Sequence, residues 1–139
     1  MIIDSNNVFS DAQSLVASNS TDIASTNIID WEVADPNLGG GTPVWLNVNA
    51  SAKIEGTAGS MTVELQSCAT EGGTYATDVA SKDWTNAELE AGAAGLQLLT
   101  VPIPRDHKRF MKVQYNKTDQ VCDVTGTVEA YLTSGAPRP

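Results

Sequence analysis

His107 is the single histidine of this 139-residue chain, so imidazole chemistry has one place to occur. It stands in Arg105-Asp106-His107-Lys108-Arg109, after a proline-terminated strand, where a surface loop is expected. Cys68 and Cys122 are the two thiols. Either could form a Cys–His nucleophile pair with His107, but no spacing supports that arrangement. Their separation fits no zinc pattern, and two separately packed thiols are expected in place of a disulfide. Asn116, Asp119 and Asp123 could gather oxygen ligands for calcium, although the order and the glycine of a calcium-binding loop are missing. Glu88 and Glu90 read as solvated charges on a loop over 86–95. There is no Gly-x-Ser-x-Gly elbow, phosphate-cradling Gly-Lys-Ser/Thr run or dinucleotide fingerprint. Gly39-Gly40-Gly41 lacks a flanking strand and helix, so it reads as a loop. No catalytic residue, metal ligand or cofactor is expected, and the chain reads as non-enzymatic.

Binding chemistry has more material. Trp45 and Trp84 could serve as platforms for sugar rings, the alternative being that each ring fills a sheet edge or a subunit contact. Charge is unevenly laid out. The formal net charge is -9, from 17 acids and 8 Lys plus Arg. Residues 1–52 hold six acids and no Lys or Arg, whereas Arg105, Lys108, Arg109, Lys112 and Lys117 crowd into one segment. An acidic protein is a poor ligand for free nucleic acid, because each phosphate contact works against its own field. The basic segment carries no interleaved aromatics for base stacking and reads as a rim that meets acidic protein surface.

These side chains must be positioned by short strands. Alanine, threonine and valine dominate, with only two phenylalanines, a mixture that favours β-structure over a large aromatic cavity. Leu46, Val48, Ala50 and Ala52 alternate on one face, as do Met61, Val63 and Leu65. Met111, Val113 and Tyr115 form the dry face of a later strand against Phe110, Lys112, Gln114 and Asn116. Val124, Gly126, Val128, Ala130 and Leu132 form that of the last. Glu55-Gly56-Thr57-Ala58-Gly59 and Glu71-Gly72-Gly73-Thr74 read as hairpin connections, the second with glycines able to take positive φ. Further strands are expected over 27–31, 75–79 and 96–103, and a loop over 35–43. No run reaches the length of a bilayer-spanning helix, and the first twenty residues do not read as a secretory signal. Asn19, Asn49 and Asn116 head glycosylation triplets that read as chance.

The result is an all-β protein, a two-layer antiparallel β-sandwich with an extended N-terminal arm, whose strand pattern is shared by jelly-roll and immunoglobulin-like connectivities. Its organisation reads as an arm over 1–26, a sandwich over 27–133 and a tail over 134–139. Ser10-Asp11-Ala12-Gln13 has the spacing of a helix capping box. The arm either orders on another surface or lies as an edge strand on its own domain. On the first reading, removing residues 2–20 leaves the sandwich folded.

Ser10-Asp11-Ala12-Gln13, Ala24-Ser25-Thr26-Asn27-Ile28-Ile29-Asp30 and a glycine-rich loop leading into Thr42-Pro43-Val44-Trp45-Leu46-Asn47-Val48 carry a resemblance. Leu98-Leu99-Thr100-Val101-Pro102-Ile103-Pro104, Arg109-Phe110-Met111-Lys112-Val113-Gln114-Tyr115 and Thr125-Gly126-Thr127-Val128-Glu129-Ala130-Tyr131-Leu132 continue it. In order and spacing the chain resembles the Bordetella-phage type of capsid cement protein over essentially its whole length. The resemblance implies a jelly-roll-like structural protein on the outside of a tailed-phage head, made in the host cytoplasm. Its partner would be the major capsid protein, with self-association, as a dimer, and no contact with nucleic acid or membrane. Trp31 and Trp45 are bulkier than that pattern leads one to expect. Capsid or subunit contacts are expected from Val8, Phe9, Leu15, Val16, Trp31, Trp45, Arg105, Lys108, Arg109 and Lys112.

Overall fold

Alternation builds the longest ladders. In the computed structural model, which describes residues 7–16, 22–32 and 44–134, strand β5 (Ser60–Cys68) pairs antiparallel with β9 (Phe110–Thr118) over their full length. Met61, Val63 and Leu65 meet Met111, Val113 and Tyr115 on the inward face, all fully buried. Strands β4 (Val44–Glu55) and β10 (Thr125–Ser134) form the facing ladder. They turn Leu46, Val48 and Ala50 inward beside Val128, Ala130 and Leu132. Ala52 and Val124 are exposed, contrary to expectation. Register shifts around Thr125–Val128 carry Ala52 out of phase, and Val124 precedes its strand.

Around these ladders the remaining strands are β1 (Val8–Ser14), β2 (Ile23–Ala24), β3 (Ile29–Asp30), β6 (Ala76–Ala80), β7 (Trp84–Thr85) and β8 (Gln97–Pro102). The first sheet runs β1-β10-β4-β8; the second runs β2-β9-β5-β6, with β3 on β9 and β7 on β5. All pairings are antiparallel. The protein is thus the two-layer sandwich that alternation implied, with one core between its sheets. Ser134, expected to begin the tail, instead ends β10, and the stretch 17–21, the loop expected over 35–43 and the rest of the tail, 135–139, lie outside the described residues.

Several local readings are corrected. The segment 56–59 is not a hairpin, because β4 and β5 belong to different sheets. It is a corner, packed against the turn after β9. A Cβ on Gly56 would lie 2.5 Å from the Cys122 nitrogen, and one on Gly59 (φ 93°) 2.1 Å from the Thr118 carbonyl oxygen. Glu71–Thr74 does link paired strands, β5 and β6, but the positive-φ glycines among the described residues are Gly59 and Gly95, not Gly72 or Gly73. Residues Asn86–Ala91 form a short helix, α1, where a loop was expected. Thr85 and Glu88 close a capping box at its start, Lys82 pairs with Glu88, and Leu89 is fully buried beneath it.

The N-terminal segment is extended, and over residues 8–14 it is an edge strand of its own domain, hydrogen-bonded to β10. Ser10 and Gln13, read as a helix cap, instead flank register shifts, and Ala12 takes φ 47° there. Phe9 and Leu15 are fully buried. Deleting residues 2–20 would therefore open the core, which replaces the earlier expectation of a dispensable arm. Phe9→Ala is expected to cost about 3–5 kcal/mol and Leu15→Ala about 2–5 kcal/mol. Val16→Ala, at a position 45% exposed, should stay within about 0.5 kcal/mol. Urea midpoints at unchanged m value test this ranking, and equal midpoints for all three would refute it.

Candidate interaction surface

Strand β3 is short, but it sets one end of the domain. Ile29 and Asp30 pair with Met111 and Phe110 of β9, and the Trp31 amide donates to the Arg109 carbonyl at 2.9 Å. This brings Asp30 against Arg109, whose Nε and terminal nitrogen donate to the two carboxylate oxygens at 2.7 and 3.0 Å. The Arg109 hydrogen bonds, joined by one from the Glu32 amide, hold the Asp30 carboxyl below the usual carboxylate range. Arg109 is raised in turn. Beside this pair Trp31 packs on His107, ring centroids 4.9 Å apart and planes tilted by 47°.

His107 is only 1% exposed, which corrects the surface-loop expectation. One ring nitrogen (Nδ1) lies 2.8 Å from the Lys108 carbonyl oxygen and the other (Nε2) has no partner. The turn folds inward because the Lys108 amide donates to the buried Ser67 hydroxyl at 3.1 Å. That carries the ring beneath Trp31 while Arg105 and Lys108 remain exposed. No hydrogen bond joins His107 to either thiol among the described residues. Cys68 lies 3.9 Å from the Thr70 hydroxyl, and Cys122 is fully buried. Burial pushes the Cys122 thiol up to about 11, which leaves it protonated and inert at neutral pH.

Next to β3 an open cleft of about 640 Å³ is lined by Val8, Ile28 and Ile29 and by the acidic residues Asp30, Glu32 and Glu71. Val8, Trp31, Arg109 and the exposed Arg105 and Lys108 thus gather around one end of the sandwich. The other expected contact residues do not join them. Phe9 and Leu15 are inside the core, so their apolar surface faces their own domain, a correction imposed by burial. Val16 is exposed beyond β1. Lys112 lies on β9 with its ammonium 4.6 Å above the Tyr75 ring. Trp45 is half-buried on β4.

Trp45 and Trp84 stand on different sheets, so they form no common row for a sugar. Trp84 donates to the Leu98 carbonyl at 3.1 Å, and Lys82 covers its ring at 4.4 Å. The oxygen-rich turn proposed for calcium has its own protein partner: Asp123 accepts from the Thr57 amide and hydroxyl at 3.0–3.3 Å. No group of three or more His, Cys, Asp or Glu side chains is placed to hold a metal among the described residues. Nor is any helix there long and apolar enough to cross a membrane.

The chain matches the Bbp16 family model over residues 9–132. It belongs to the Bbp16 family. No curated protein matches it. Membership supports a phage-associated structural protein, and the matched span runs from β1 into β10, which makes the N-terminal strand part of the Bbp16 unit. The cleft was missed by sequence reasoning because its lining comes from residues 8, 26–30, 32 and 71, which no local motif connects.

Two outcomes test this surface. Asp30 has a depressed folded pKa, so its stabilising contribution is complete above about pH 4 and lost as pH falls through the folded value. The stability gap between wild type and Asp30→Asn should therefore shrink on acidification from about pH 5 to about pH 2; a gap constant across that range contradicts the assignment. In thiol titration at neutral pH, the Cys68→Ser protein should show no fast-reacting thiol until unfolded in urea. Rapid native labelling of Cys122 would refute its burial.

Proposed function

We propose that this Bbp16-family protein is a non-enzymatic capsid cement. It binds the outer surface of a tailed-phage head, contacts the major capsid protein, associates with copies of itself and stabilises the shell against internal DNA pressure. Family membership across 9–132 carries the reading. The organisation of the molecule supports it. A cement protein needs area repeated around a symmetric shell and a scaffold that does not yield, not a reaction pocket. The sandwich is packed between its sheets by buried side chains, and β4 and β10 are further joined by side-chain hydrogen bonds, Asn47 to Thr133 at 2.9 Å, Asn49 to Tyr131 at 3.3 Å and Ser51 to Thr127 at 2.7 Å. The outer-surface location keeps an acidic protein away from packaged DNA.

The decisive experiment adds purified protein to heads lacking it. Saturable binding at a fixed ratio to the shell protein is expected, together with a rise in the temperature at which heads release DNA. Binding to glycan-coated surfaces but not to heads would replace this reading with the carbohydrate one. Absence of binding to heads would remove it.

A further inference from the structure

We infer that the cleft beside β3 receives an extended, lysine- or arginine-bearing segment of a shell subunit, which adds to β3 as a further strand. The inference deepens the proposed function by naming the chemistry of the partner at this site, and rests on that reading for the source of the segment. Its first support is an open sheet edge. Strand β3 pairs with β9 on one side only. The Trp31 amide donates to the carbonyl of Arg109 opposite it, so residues 29 and 31 direct their backbone groups to β9 and alternation turns those of Asp30 away. Ile28, just before the strand, makes no backbone hydrogen bond among the described residues. At β2 the corresponding edge is closed, because the Gln13 amide donates to the Ala24 carbonyl. Unpaired backbone groups at a sheet edge are a template for an incoming strand.

Charge then selects the occupant. Arg109 matches Asp30, whereas Glu32 and Glu71 enter no ion pair among the described residues. Glu32 follows β3 and Glu71 belongs to the β5–β6 connection, so acidic residues line the cleft from two elements. An anionic segment is repelled by both and by the formal -9 of the chain. A neutral segment leaves both unmatched, and a cationic one is attracted at both. Side chains two apart on an added strand share a face, so basic residues at alternate positions meet the acids together. Small apolar residues between them suit Ile28, 39% exposed, and Val8. A contact steered by exposed charges is salt-sensitive.

Titration calorimetry of the full chain with short capped peptides tests the site. A peptide alternating valine and lysine should bind in about 50 mM salt and about tenfold more weakly in about 500 mM salt. Its valine–glutamate counterpart should not bind. Methylating the lysine amides and methylating the valine amides remove donors from opposite edges of the peptide strand. One of these changes should abolish binding and the other leave it. The variant Glu32→Lys/Glu71→Lys should reject the lysine peptide and accept the glutamate one. Asp11→Lys/Asp83→Lys, the same charge change at exposed positions outside the cleft, should still bind the lysine peptide. Equal effects of the two methylations, glutamate-peptide binding to wild type, or indifference to the charge reversal would overturn the site. The methylated peptides read it with the protein unaltered, should a reversal unfold the domain. On heads lacking the protein, Glu32→Lys/Glu71→Lys should bind at least about tenfold more weakly than wild type. Unchanged binding of that variant to heads overturns the inference and leaves the capsid reading in place. Wild type that binds the lysine peptide but not heads removes the capsid reading, and with it the source of the segment, while the strand site stands.

Discussion

The structure depends on how β1 closes the open side of the sandwich. Its backbone belongs to the first sheet, through β10, but its polar groups are held by the second. Lys117 of β9 is 2% exposed and donates to the Leu15 carbonyl at 2.8 Å. The hydroxyls of Ser10 and Tyr115 lie 3.0 Å apart, and the Gln13 amide donates to the Ala24 carbonyl at 2.8 Å. Burying an ammonium costs several kcal/mol after relaxation, a cost that only well-placed acceptors offset. The Leu15 carbonyl is one of the acceptors that offset this cost, and Leu15 also brings its apolar side chain into the core. Tyr115 obeys the same logic. Burial raises its phenol well above the ordinary value, so it stays neutral and serves as a hydrogen-bonding group.

That closure also shapes the cleft. With β1 pinned, the chain returning toward β3 must run beside it. The Asn27 amide donates to the Phe9 carbonyl at 3.0 Å and its side chain to the Val8 carbonyl at 3.2 Å. Ser25 then bridges to β9, accepting from the Val113 amide at 3.0 Å. The cleft lies where this strap and the 71–74 connection leave a gap. Its position follows from backbone hydrogen bonds near the core, although its lining faces solvent. Loss of β1 would therefore open the cleft along with part of the core.

Alternation made the long ladders legible. Where one face is buried, a one-residue slip would expose every apolar side chain, so the pattern in β5 and β9 permits one register. The assignment of strands to sheets was not legible, because period-two alternation says which face is dry but not which neighbour supplies the hydrogen bonds. Gly56 and Gly59 thus suited a hairpin and a corner equally until the Thr118–Cys122 turn was seen against them. Lys117 shares the parity of Met111, Val113 and Tyr115 and does point inward with them; its charge concealed what its position announced. Local motifs failed in both directions. Thr85-Asn86-Ala87-Glu88 caps a helix, whereas Ser10-Asp11-Ala12-Gln13 lies in a bulged strand, since pairing with β10 outweighs a one-turn preference. His107 had no periodic signal at all, being placed by the Ser67 hydroxyl and Trp31.

The uneven charge of the chain is largely a folding feature. The fold joins the acidic N-terminal stretch to the basic segment, through Asp30 with Arg109 and through Leu15 with Lys117. What remains outside is an acidic molecule with a small cationic turn. Copies carrying a formal -9 repel one another at long range, but that repulsion decays over a Debye length of roughly 8 Å at physiological salt. Within that distance the interaction between two surfaces is set by the groups that meet and not by the net charge, because the field of every more distant charge is screened.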